Sequence, residues 1–108
     1  SYIHAEAMAA GELKHGTMAL IDETMPVIAM VPNDQLFDKT LSNIYEVAAR
    51  GARIVVFTDE FGAKKLKDKT EAEFIIPSSD SFITPIIYSV PSQLLAYYVA
   101  LKLGKDID

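Results

Sequence analysis

The chain contains no cysteine. That excludes a disulfide framework, a thiolate metal site and a thiol nucleophile, and it fits a cytoplasmic location. Positive charge is in short supply. Ten Lys and Arg stand against fifteen Asp and Glu, for a formal net charge of −5, and the basic residues form no block. The electrostatic footprint of a nucleic-acid binder is therefore missing. No apolar run approaches the ~20 residues that span a bilayer. Glycine and proline number five each, too few for a collagen-like or low-complexity chain. What is present is half hydrophobic and 23% charged, with a mean hydropathy of +0.17. The 108 residues suit at most one folded domain with one core.

The hydrophobic pattern sets out alternating elements. Ile3, Ala7, Ala10 and Leu13 fall on one helical stripe over residues 1–14, weakened by Gly11 and ended by Gly16. Thr17 to Ile21 reads as a single helical turn. Pro26 to Pro32 is a continuous apolar run between prolines, the mark of a strand buried on both faces. Asn33 or Asp34 is placed to cap a helix whose stripe is Leu36, Phe37, Leu41, Ile44, Tyr45 and Ala48, closed by Gly51. Arg53 to Phe57 repeats the strand pattern. A weak lysine-rich stretch, Ala63 to Lys69, precedes a third strand at Phe74–Ile76. Phe82 to Leu103 is helical in character, with Pro85 and Pro91 expected to divide it and Pro91 to open the second piece.

Strands alternating with helices at this spacing predict the α/β class, with a parallel sheet and right-handed crossovers placing helices on both faces. Three strands make a small sheet. Its first strand would present an apolar edge of the kind proteins normally cover. The opening run, Ser1 onward, already reads as helix interior, and the sequence stops directly after a helix. These features point to a piece of a larger domain.

Chemistry-bearing residues are few. His15, at a helix end beside Gly16, has an ionisation range suited to proton transfer near neutrality; contact with the last carbonyls of its own helix is the structural alternative. His4 and His15 would lie about 16 Å apart along an ideal helix, too far to share a metal. Glu6 and Glu12 point to different faces, so they form no convergent acid/base pair; Glu12 is expected in solvent and Glu6 against a buried partner. Asp59 stands at the carboxyl end of a parallel strand, where open α/β sheets place ligands, but no acidic residue directly follows Val31 to complete a receiver-type cluster. Gly51 and Gly62 do not form G-x-G-x-x-G. Ser78, Ser79 and Ser81 could hold a phosphate or simply form a polar loop.

Three segments carry a resemblance. They are Ala5-Glu6-Ala7 with Ala9-Ala10-Gly11-Glu12-Leu13-Lys14-His15-Gly16; Ala19-Leu20-Ile21-Asp22; and Val90-Pro91-Ser92-Gln93-Leu94-Leu95-Ala96-Tyr97 with Gly104-Lys105-Asp106-Ile107-Asp108. Together they are similar to the sugar-isomerase (SIS) domain of the glutamine–fructose-6-phosphate aminotransferases, also called glucosamine-6-phosphate synthases. The resemblance covers essentially residues 1–108. It implies a three-layer SIS-type sheet and the C-terminal portion of the second SIS domain in the isomerase half of a larger enzyme. It also implies conversion of fructose 6-phosphate and glutamine to glucosamine 6-phosphate and glutamate, with no metal or organic cofactor and with a homodimer as the assembly. In that family the sugar ring opens, a lysine forms a Schiff base, ammonia replaces the lysine, and a glutamate moves a proton. His15 matches the histidine that enters the neighbouring subunit's site and assists ring opening. The family's proton-moving glutamate precedes Ser1, its Schiff-base lysine follows Asp108, and its phosphate-binding hydroxyls belong to the first SIS domain. Glu12 and Lys14 take none of these roles, and the 108 residues alone should be inactive. Thr17 stands where many family members carry proline. A phosphosugar isomerase or a sugar-phosphate-binding regulatory module of the SIS type is the competing reading.

Overall fold

The computed structural model describes residues 3–77, 80 and 83–107. They divide into two compact units, residues 8–77 and residues 3–7 with 80 and 83–107.

In the first unit two short 3₁₀ helices, Ala10–His15 and Thr17–Leu20, precede strand β1, Pro26–Val31. Helix α1 spans Phe37–Ala49, β2 Arg53–Thr58, helix α2 Glu60–Leu66 and β3 Ala72–Ile75. The strands form one parallel sheet in the order β1-β2-β3, Val31 opposite Thr58 and Phe57 opposite Phe74. The α/β class and the parallel sheet are as expected. Strand period two sends Val31, Ile54 and Val56 to one face, where they meet Phe37, Leu41, Ile44 and Val47 of α1, Leu66 of α2, and Met18 and Ile21. On the opposite face Phe57 and Phe74 stack with ring centroids 5.0 Å apart. β1 lies at the sheet edge, and Ile28 and Met30 on its outer face are half exposed; the strand is thus not buried on both faces as its apolar run predicts, because among the described residues the core packs only against the Val31 side.

Several boundaries differ from the sequence reading, each for a local reason. Residues 3–9 carry no regular structure, and only Ala10–His15 coils, as a 3₁₀ helix with no buried residue. A helix is stabilised mainly by the face it buries. Ile3 is 58% exposed, and the proposed stripe is divided between the two units. Asp34 does not cap α1; its Oδ1 accepts the Leu36 N–H at 2.8 Å, one turn early, and Leu36 occupies the cap position. Leu36 and Tyr45 lie toward solvent while Val47 joins the core. Gly51, at φ +84°, closes α1 as expected. Strand β3 starts earlier than Phe74 because its polar beginning is paired. Arg53 Nε and Nη2 donate to Glu71 Oε2 and Oε1 at 3.0 and 2.9 Å, and Glu71 N–H donates to Ile54 O at 2.8 Å.

In the second unit, helix α3 runs unbroken over Thr84–Lys102 with Pro85 in its first turn. Pro91 lies inside this helix and does not divide it. The proline removes one amide donor, and the turn around it stays occupied by Ser89 Oγ donating to Ile86 O and Ser92 Oγ donating to Ser89 O, both at 2.7 Å. Asp80 O accepts the N–H of Ile83 and of Thr84 at 3.0 Å, setting the first turn.

Candidate functional site

His15 is the last residue of the first 3₁₀ helix, and the sequence around it explains its presentation. Leu13, two residues earlier, packs partly buried against the core, and Met18, three residues later, is 6% exposed within it. Two apolar anchors thus bracket a short bridge whose middle faces water. Gly16 follows with φ +144° and ψ −52°, backbone that a side chain would strain. The reversal separates the two 3₁₀ helices and leaves His15 exposed. Among the described residues no hydrogen bond or ion pair engages its ring, and the contact with terminal carbonyls is not formed. Thr17 is the first residue of the next helix, a position whose amide needs no intrahelical partner. A proline there would meet no lost hydrogen bond.

Next to His15, Lys14 Nζ lies 2.8 Å from Glu46 Oε1, joining the 3₁₀ helix to α1. Nothing in the sequence announces this pair, because its members are far apart along the chain and only packing brings them together. Glu12 is exposed, as expected. Among the described residues Glu6 meets no buried partner. It is exposed and lies 3.6 Å from the exposed His4, a contact between near neighbours in an uncoiled segment.

Asp59 is 5% exposed, and its Oδ1 accepts the Gly62 N–H at 2.8 Å. Its placement at the end of β2 therefore starts α2 by capping it. Behind it the hydroxyl of Thr58, fully buried, donates to Val31 O at 2.7 Å. Ser78, Ser79 and Ser81 lie outside the described residues. A shallow depression of about 460 Å³ is lined by Tyr45, Ala48, Ala49, Asp68 and Lys69, and His15 is not part of it. Among the described residues no group of three or more His, Asp or Glu could hold a metal ion, and no helix is long and apolar enough to cross a membrane.

This geometry offers an outward-facing imidazole on an anchored turn, with no second catalytic group converging on it among the described residues. Comparison with known proteins supplies the context. The SIS domain family model matches residues 1–103. The chain is 58% identical over 108 residues to a glutamine–fructose-6-phosphate aminotransferase (isomerizing) of Gluconobacter oxydans and 57% identical to one of Rhizobium meliloti. Each alignment covers all of this chain and 18% of the relative. The C-terminal domain of glucosamine-fructose-6-phosphate aminotransferase from Francisella tularensis superposes with a TM-score of 0.89 at 46% identity, over all of this chain and 30% of that one. The chain thus spans about a fifth of the length of the curated relatives it matches.

Proposed function

The chain belongs to the SIS domain family, and we propose that it is the C-terminal portion of the isomerase half of a glutamine–fructose-6-phosphate aminotransferase. The observation that carries this is identity of 58% maintained across all 108 residues, with no segment left outside the match. The parent reaction makes glucosamine 6-phosphate and glutamate from fructose 6-phosphate and glutamine. The assembly is a homodimer in the cytoplasm, binding sugar phosphate.

His15 is the residue of this segment assigned to catalysis. Opening the sugar ring breaks the bond between the anomeric carbon and the ring oxygen. The anomeric hydroxyl loses a proton as the ring oxygen gains one. An imidazole presents one nitrogen that accepts a proton and one that donates it, so a single ring can serve both ends of this exchange. His15 faces away from its own core, which supports action in a neighbouring subunit's pocket. The segment contributes neither the Schiff-base lysine nor the proton-moving glutamate, so residues 1–108 alone have no turnover.

The test is to assay glucosamine 6-phosphate formation by the full-length protein beside residues 1–108. Full-length protein is expected to be active and the short chain silent. His15→Ala in the full-length protein is expected to lower kcat by about 10²–10⁴-fold, the usual contribution of a positioned acid–base group. Turnover by the short chain, or an undiminished His15→Ala variant, would refute the reading. Light scattering of the full-length protein tests the dimer.

A further inference from the structure

We infer that Glu46 is a positioning residue for His15, acting through its ion pair with Lys14. The inference rests on the reading of His15 given above and adds the element that holds it. No side-chain contact orients the His15 ring among the described residues, so its direction follows from the backbone of the turn that carries it. That turn is intrinsically soft. It is a 3₁₀ helix, with poorer hydrogen-bond geometry than an α-helix, it buries no residue, and it is followed by a glycine at φ +144°. Leu13 fixes one side through partial burial. Lys14, the residue adjoining His15, is fixed by a contact of 2.8 Å to Glu46 Oε1.

Glu46 is well placed to serve as the fixed end of that tether. It sits in α1 between Tyr45 and Val47, and Val47 is 1% exposed in the core while Leu41 and Ile44 clamp the same helix to the sheet. The rigid partner is therefore α1, and the ordered partner is the His15 turn. Both side chains remain about half exposed, and exposed ion pairs add little to global stability. The consequence of losing the pair should fall on turnover and leave unfolding nearly unchanged.

The experiment is a double-mutant cycle in the full-length protein, with kcat and KM for fructose 6-phosphate as readouts and thermal unfolding as control. Glu46→Gln is expected to lower kcat about two- to fivefold, the range an exposed pair supports, with KM and the melting midpoint unchanged. In a His15→Ala background the same substitution is expected to have no further effect, because Glu46 acts through His15. The exchanged pair Lys14→Glu/Glu46→Lys is expected to recover activity relative to Glu46→Lys alone. An unaltered kcat in Glu46→Gln, an equal loss with and without His15, or a parallel fall in melting midpoint overturns the positioning role while leaving the assignment of His15 intact. A fully active His15→Ala variant overturns both.

Discussion

Gly62→Ala separates two opposing effects whose sizes the structure sets. Alanine in a helix is favoured over glycine by about 1 kcal/mol, so a Gly62→Ala change in α2 would ordinarily stabilise. Here a Cβ would overlap Thr58 Oγ1 and come within 3.2 Å of Phe37 Cε2. Neither neighbour yields easily. Phe37 is 4% exposed, and Thr58 is fully buried with its hydroxyl donating to Val31 O. Overpacking of this kind costs about 1–3 kcal/mol, and rotating Thr58 away would sacrifice a buried hydrogen bond worth a similar amount. The clash wins, and the net expectation is a loss of about 2 kcal/mol. Urea denaturation followed by far-UV circular dichroism measures it as a lowered midpoint with unchanged slope. Repeating the change in a Thr58→Ala background isolates the cause, since the cost of Gly62→Ala should then shrink by at least about 1 kcal/mol. A stabilised Gly62→Ala protein, or the same cost in both backgrounds, would refute the reasoning.

Two more changes probe the polar joints of the same unit. Asp59→Ala removes the cap of α2 and should cost about 1 kcal/mol, while Asp59→Asn, which keeps an acceptor, should cost a few tenths; equal losses in urea titrations would show that capping is not what Asp59 contributes. Hydrogen bonding from the Arg53 guanidinium holds the Glu71 carboxyl below its usual range. Its contribution is thus fully present above the ordinary carboxylate value and is lost as pH falls through the lowered folded value. Glu71→Gln should therefore flatten the acid side of the stability–pH curve, below the ordinary carboxylate value, and added salt should weaken the wild-type slope. An unchanged curve in Glu71→Gln would sink that assignment.

The sequence alone determined the alternation of elements, because burial leaves a periodic trace. The proline-bounded run Pro26–Pro32 and the β-branched core of Arg53–Phe57 could hardly be anything but strands. The stripe of α1 and the glycine at its end were equally plain. His15 could be singled out as a candidate from its residue type and its glycine neighbour, and the family resemblance then raised it above the other candidates. Tertiary structure decided what periodicity does not encode. The first segment stays largely uncoiled because its stripe finds no common surface to bury. Asp59, which has the sequence of a ligand-facing carboxylate, spends its oxygen on the amide of Gly62. Pro91 remains inside a helix although proline removes a donor and crowds the preceding turn, because the rest of the nineteen-residue α3 and the hydroxyl bonds of Ser89 and Ser92 hold that turn. The meeting of Lys14 with Glu46 follows from a turn laid across α1. A pairwise electrostatic contact has no period, so folding alone brings it about.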